Sequence, residues 1–381
     1  MNSVEAPQGD TGLKSAIRPF EEAFRSRSER LAALNAEGRR MLGYFCTYTP
    51  LEVIHAAGLI PIRVLGGEGT IGAADTLAPG FICPYMRRAL EAGLAGRYDG
   101  LRGMVMGYTC DVACGVINIW AGNIGGDFFH TLPLPYNDTP ASRAFLRAAL
   151  DELVRGLETV GDGKVRDRLP AAIDLYAEIS GLLARLSRCR FKGSFLSAGD
   201  FLSVIQAGFT LPPEEYLAMC RRLVDECPAG VDPVRTGLPV LVSGSLVEDP
   251  KMLEVIDSSG GMIVADDLCT GLRFFESPVL PGRDPFERLI ERHFRRWPCP
   301  ARARAVDRVP RIVELARHSG AKGVVFLLQK FCTPHLADQP ILIAELQKAG
   351  LPSITLEMDE AGLMEGRLRT HLESFFEILG E

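Results

Sequence analysis

At 381 residues, with 47% hydrophobic and 24% charged side chains, the chain is long enough for two or three domains with cores of their own and has a globular composition. A net charge of −6, with no basic stripe interleaved with aromatics, excludes nucleic acid as the main partner. No apolar run approaches the roughly 20 residues that span a bilayer and no apolar signal core opens the sequence, so no membrane association and a cytoplasmic location are expected.

In chain order, the polar stretch from about Pro19 to Arg40 is helix-prone, with Phe20, Ala23, Phe24 and Leu31 on one face, and predicts one amphipathic helix. Met41 to Cys46 is strand-like. Thr49-Pro50 opens a helix through Ala57 that Gly58 ends, and Leu59 to Leu65 is a second strand, giving a first βαβ unit. Phe81-Ile82-Cys83-Pro84 precedes a helical run to Leu94, which puts Cys83 at a helix N-terminus, where free amides and the dipole favour a thiolate. Leu101 to Gly107 is a strand delivering Cys110 to its carboxyl end, and Cys114 follows one helical turn later.

Thr139 to Cys227 is almost wholly helical, broken at Gly161-Asp162-Gly163 and around Leu211-Pro212-Pro213, with a loop over Pro228 to Gly237. Leu238 to Val242 is a strand, Ser243-Gly244-Ser245 a turn, and Asp249-Pro250 caps a helix to Ser258. Gly261 to Ala265 then delivers Asp266-Asp267-Leu268-Cys269-Thr270-Gly271 to a strand end. The last unit runs from Lys322 to Asp359, with strands Gly323–Leu328 and Ser353–Glu357 around a helix over Asp338–Ala349. It places Cys332 just past a strand's carboxyl end, where open parallel sheets hold ligands. Strands alternating with helices predict an α/β protein: two Rossmann-like, flavodoxin-like parallel-sheet domains, residues 1–138 and 236–381, with a helical segment at 139–235 between them.

Gly66-Gly67-Glu68-Gly69 and Gly122-Asn123-Ile124-Gly125-Gly126 fit neither the P-loop nor the dinucleotide fingerprint and read as turns. The six histidines lack metal-ligand spacing. Only His335 stands near a candidate site, and a hydrogen-bonding role suits it better than catalysis. Val242-Ser243-Gly244-Ser245 does not frame a hydrolase elbow. Lys330, Arg87 and Arg273 flank motifs and are candidates to meet phosphate groups, but solvated surface charge is the better reading for each. The cysteines are the informative residues: of ten, Cys46, Cys83, Cys110, Cys269 and Cys332 fall at strand ends or helix starts. Converging thiolates without histidine suit zinc or an iron–sulfur cluster. The absence of Cys-x-x-Cys argues against a zinc ribbon or ferredoxin-type run. Buried thiols serving as small hydrophobes are the alternative.

Five ordered stretches add to this. Gly43-Tyr44-Phe45-Cys46-Thr47-Tyr48-Thr49-Pro50, Ile82-Cys83-Pro84-Tyr85-Met86-Arg87, Thr109-Cys110-Asp111, Ala265-Asp266-Asp267-Leu268-Cys269-Thr270-Gly271 and Gln329-Lys330-Phe331-Cys332-Thr333-Pro334-His335 resemble the motifs of the 2-hydroxyacyl-CoA dehydratase and benzoyl-CoA reductase family. The resemblance runs from about Gly43 to the C-terminus and includes Gly366-Arg367-Leu368-Arg369-Thr370 near the end. It implies a [4Fe-4S] cluster between the two domains, held by Cys83, Cys110 and Cys332, with the fourth iron position open to substrate or a non-protein ligand. Cys46 and Cys269 match motif positions that are not ligands. Cys114 is an extra thiol and the alternative to Cys110, which Asp111 follows as the family pattern expects. The implied partners are a paralogous iron–sulfur subunit, an ATP-hydrolysing iron–sulfur activator and an acyl-CoA substrate.

Two reactions compete within that family: reductive dearomatisation by a benzoyl-CoA reductase, and dehydration of a 2-hydroxyacyl-CoA through a ketyl radical. Seven lysines against 35 arginines favour the reductase, since arginine-heavy composition fits aromatic-degrading members. A non-catalytic electron-relay subunit and a double-cubane-cluster reductase are the further readings.

Overall fold

The computed structural model describes residues 10–67, 69–191, 196–226, 236–276, 282, 284–359 and 365–380. Helices α1 (Asp10–Arg25) and α2 (Arg27–Ala36) lead into β1 (Met41–Tyr44), α3 (Leu51–Ala56), β2 (Ile60–Arg63), α4 (Pro84–Leu94), β3 (Leu101–Gly107), α5 (Asp111–Asn123) and β4 (Phe128–Leu132). Four helices follow, α6 (Pro140–Val160), α7 (Val165–Arg188), α8 (Ala198–Ala207) and α9 (Pro213–Glu226). The second α/β half comprises β5 (Leu238–Gly244), α10 (Lys251–Ser258), β6 (Gly261–Asp267), α11 (Leu272–Phe275), α12 (Pro285–Arg295), α13 (Ala305–Ser319), β7 (Gly323–Gln329), α14 (Thr333–Lys348), β8 (Ser353–Met358) and α15 (Glu365–Gly380).

The two sheets share one topology. Each has four parallel strands, in the orders β2-β1-β3-β4 and β6-β5-β7-β8. In both, the chain steps outward from its first strand, then crosses back to the other side, the doubly wound pattern with its crevice at the carboxyl ends of β1/β3 and β5/β7. The second sheet shows why its strands are near-continuous apolar runs. Val240, Val242, Ile263, Val325 and Leu327 face one core with Leu253, Ile256, Leu372, Phe375 and Phe376. Leu241, Val264, Val324, Phe326 and Leu328 face another, with Ile312, Ala316, Leu342 and Leu346. A strand's period of two divides the run between two helical layers, so both faces are dry. Gly244 ends β5 because its neighbour leaves no room: an added Cβ would sit 1.9 Å from Leu327 O.

Several boundaries differ from expectation. The leading helix begins at Asp10, with Pro19 inside it, and a second helix starts at Arg27. Ile17, Phe20, Ala23, Leu31 and Leu34 are buried, so packing of the apolar face outweighs the proline's missing donor. Strand β1 stops at Tyr44, and α3 starts at Leu51 after Pro50; Gly58 ends it at φ 74°. The helical segment has a further interruption after Arg188, before α8. The edge strand β4 was not anticipated, because its Phe128 to Thr131 are only partly buried and show no apolar alternation. Cys227, the loop residues 228–235, Glu68 and the side chain of Arg367 lie outside the described residues. No helix among the described residues is long and apolar enough to cross a membrane.

Candidate functional site

Three cysteines from both halves occupy the same local position. Cys83, Cys110 and Cys332 are the N-cap residues of α4, α5 and α14, and none spends its side chain on a capping hydrogen bond. Cys110 follows β3 and Cys332 follows β7, topologically equivalent strands of the two sheets. Their thiols meet across the crevice: Cys110 feels the charge of Cys83, Cys46 and Cys114, and Cys332 that of Cys83, Cys269 and Cys110. Each is partly shielded from solvent. Three helix N-termini thereby point free amides toward one thiol-lined space, a setting that stabilises an anion.

The helix ends do not make these thiols acidic, contrary to the expectation for Cys83. Burial raises Cys83, pushes Cys110 up to about 12 and lifts Cys332 well above the ordinary thiol value. Backbone amides pull the other way by less. Without a metal, the trio is therefore three neutral thiols. Cys114, one turn into α5, is pushed up to about 11 by burial first, then by Asp111 and Cys46.

The chain is held tightly where it delivers Cys332. Phe331 has φ 62°, the left-handed value that only glycines otherwise show among the described residues; such strain concentrates where a neighbouring side chain must be aimed. Ser245 Oγ accepts from Gln329 N at 2.9 Å, and Gln329 Nε2 donates to Leu246 O at 3.1 Å. In the other half, Thr109 Oγ1 donates to Cys46 Sγ at 3.3 Å, so Cys46 braces the residue before Cys110.

Asp267, at the end of β6, is fully buried; its carboxylate accepts three hydrogen bonds, from Ser243 Oγ at 2.9 Å, Trp297 Nε1 at 2.7 Å and Arg308 Nη2 at 2.8 Å, and forms an ion pair with Arg273, whose Nε lies 2.9 Å away. Arg308 also pairs with Asp338 on α14, and Arg273 Nη1 lies 3.3 Å from His335 Nε2. Arginine has no acceptor, so Nε2 accepts and the proton resides on Nδ1. Burial first, then Arg273 and Arg308, hold His335 well below its usual value, as a neutral base. The network ties the first turn of α14, and with it Cys332, to the sheet. Arg273 and Arg87, expected on the solvated surface, are 1% and 6% exposed. Each has a carboxylate partner, Asp267 and Asp75, which the sequence separates from it too irregularly to signal a pair. Lys330 is at the surface with Asp359, 2.8 Å away.

Glu248, partly buried in the second half, accepts from Gly66 N at 3.1 Å and Gly67 N at 2.7 Å in the first. The amides of that glycine turn thus fasten the two halves together. Phe81, Tyr108, Phe331 and Leu336, all close in sequence to the three N-cap cysteines, are exposed.

Behind the ends of β1 and β3 lies a cavity lined by Tyr48, Leu132, Leu134, Leu289, Arg292 and His293. His293 Nε2 is 3.2 Å from Pro135 O, and burial holds its imidazole down to about 4, against 6.5 in the open chain. Between those values the unfolded chain binds a proton the folded one refuses, so stability is complete above pH 6.5 and falls on acidification. We expect a loss of roughly 1–2 kcal/mol from pH 7 to pH 5, read from urea midpoints. His293→Gln should flatten that slope; a slope left intact would place the acid sensitivity in His55 and His130, also lowered by burial.

Among the described residues, no three histidine, cysteine or acidic side chains converge on a single metal-ion position. The three thiols offer a sulfur-only donor set, the usual one for a polynuclear iron–sulfur centre, whose irons each take a different thiolate.

Known proteins share this sequence over most of its length. The family described as 2-hydroxyglutaryl-CoA dehydratase, D-component, matches residues 46–379. The chain is 28% identical over 333 residues to a benzoyl-CoA reductase subunit of Thauera aromatica, covering 84% of this chain and 86% of the relative. It is 26% identical over 345 residues to the (R)-phenyllactyl-CoA dehydratase beta subunit of Clostridium sporogenes, 90% and 92% of the two chains. With the (R)-2-hydroxyglutaryl-CoA dehydratase beta subunit of Acidaminococcus fermentans it shares 25% over 385 residues, 96% and 100%.

Proposed function

Because the chain belongs to the family of 2-hydroxyglutaryl-CoA dehydratase D-components, we propose that it is the iron–sulfur subunit of an ATP-activator-dependent acyl-CoA enzyme in the cytoplasm. Cys83, Cys110 and Cys332 would hold a [4Fe-4S] cluster, and the reaction would be reductive dearomatisation of an aromatic acyl-CoA. The observation that carries the reading is the placement of these three thiols, each an uncommitted N-cap and partly shielded from solvent, around one crevice at the carboxyl ends of both sheets. Bound there, the cluster would supply one-electron chemistry at low potential, with one iron left free of protein ligands.

The chain's own residues do the rest. Helices α4, α5 and α14 direct amides at the anionic centre, and the Asp267 network fixes α14. The strained Phe331 aims Cys332, and the surrounding burial excludes water. Multi-subunit relatives support a paralogous partner, and the exposed Phe81, Tyr108 and Phe331, next in sequence to the three N-cap cysteines, are apolar surface that such a partner, or the activator, would cover.

Dehydration of a 2-hydroxyacyl-CoA is the second reading, supported by relatives that carry dehydratase names over 90% or more of this chain. The test is anaerobic co-purification with the paralogous subunit, iron and acid-labile sulfide analysis, then assay with activator, ATP and reductant on benzoyl-CoA and on (R)-2-hydroxyacyl-CoAs. Loss of the aromatic absorbance is the expected result. Enoyl-CoA formation without it would transfer the chain to the dehydratases, and a complex free of iron would sink both.

A further inference from the structure

Two buried guanidiniums cross the crevice in opposite directions. Arg63, the last residue of β2, is 2% exposed and donates to Cys269 O in the other half at 3.0 Å, its guanidinium 4.7 Å from the centre of the Phe209 ring. Arg296, just after α12, is 9% exposed. It donates back to Thr47 O at 2.8 Å and also to Arg273 O at 3.3 Å, over the Tyr48 ring at 3.9 Å. The carbonyls they hold belong to Cys269 and to the neighbour of Cys46, the two cysteines that stand beside the N-cap trio.

Neither arginine has a carboxylate oxygen within 4.0 Å among the described residues, and this sets them apart. Arg87 pairs with Asp75, Arg190 with Asp266, and Arg273 and Arg308 with Asp267. Arg302 also lacks a carboxylate, but it stacks on the exposed Tyr136 at the surface. A guanidinium cannot shed its proton, so a buried one without a counter-charge is costly unless an anion sits near it. Two fixed positive charges thus stand beside the stretches of chain that hold Cys46 and Cys269, with no carboxylate oxygen within 4.0 Å of either among the described residues.

We propose that Arg63 and Arg296 are the resident counter-charges of the thiolate centre. They offset the negative charge that three cysteine thiolates bring to a bound cluster, and they favour its one-electron reduction by the activator's cluster, which adds a further negative charge. They act through the field and touch no ligand sulfur, so they are positioning residues. The inference rests on the proposed cluster site.

It makes opposite demands on the empty and the loaded protein, which separates it from a merely structural role. Arg63→Gln and Arg296→Gln are each to be compared with wild type and with Arg63→Lys, which keeps the charge. In the iron-free protein the glutamine variants should unfold at or above the wild-type temperature, because an unbalanced cation has gone. In the reconstituted protein, a dithionite titration followed by electron paramagnetic resonance should show the midpoint potential shifted to more negative values in both glutamine variants and restored in Arg63→Lys. Iron-free glutamine variants that unfold early would make these arginines packing struts and overturn the proposal. So would an unmoved potential in variants that load iron as wild type does. A wild-type chain that takes up no iron would overturn the cluster reading itself, a result distinguishable from either.

Discussion

Alanine in place of Cys83, Cys110 or Cys332 is expected to abolish iron retention by the anaerobically purified protein while leaving the fold intact. Both halves of that expectation come from the same geometry. Each of the three residues is an N-cap whose side chain makes no capping hydrogen bond, so alanine removes no helix-start interaction of the kind worth about 1 kcal/mol. Losing one buried sulfur costs on the order of 1 kcal/mol in burial, a small part of the stability of a domain. A three-thiolate centre, by contrast, loses a third of its protein ligands, and the two that remain are thiols that burial keeps protonated. Cys114→Ala is the control and should keep its iron. Retention in Cys110→Ala together with loss in Cys114→Ala would hand the ligand role to Cys114, one turn along the same helix. Full retention in all four variants would remove the cysteines from any metal site.

The second large effect is on stability. Asp267→Ala should destabilise the protein by about 3–5 kcal/mol, measured as the urea unfolding free energy of the iron-free form. Asp267 is fully buried between Arg273 and Arg308, both 1% exposed in their side chains. Removing the carboxylate leaves two guanidiniums with only Asp338 to balance them, strips the Trp297 and Ser243 donors of their acceptor, and offers no route for water to replace it. Asp267→Asn keeps an acceptor for Trp297 but not the charge, and should fall between. Because Arg308 and Arg273 reach α14 through Asp338 and His335, the same substitution should loosen Cys332. A loss below about 1 kcal/mol would mean that the network is poorly formed and that α14 is held by its apolar face alone.

The alternating units around Met41 to Leu65 and Lys322 to Asp359 were legible in the sequence because a strand flanked by turn residues and followed by a capped helix is a local signal. Pro50, Gly58, Pro84 and Gly320 are punctuation whose physical reasons lie within a few residues. The cysteines at strand ends were legible for the same reason: Cys110 and Cys332 had only to be counted from the end of an apolar run. Elements without local contrast were not. Strand β4 is a half-buried edge with no alternation; α12, by contrast, carries a clear apolar face in Phe286, Leu289 and Ile290 behind an Asp284-Pro285 start, a local signal that was available in the sequence.

What the sequence determined by itself was the α/β class, the parallel alternation and the placement of Cys83 at a helix start and of Cys110 and Cys332 at strand ends. All of these follow from the period of apolar residues and from backbone chemistry within a single turn. Only the tertiary structure decided that Cys110 and Cys332 are helix N-caps as well, with α14 beginning at Thr333 rather than Asp338, and that two sheets of identical strand order bring the three helix starts to one crevice. It also decided that burial overrides the helix amides and keeps the thiols protonated, that Arg273 and Arg87 lie inside with carboxylate partners, and that Arg63 and Arg296 lie inside without one. Those outcomes depend on desolvation and on charges far apart in the chain, quantities that a residue's neighbours in sequence do not set.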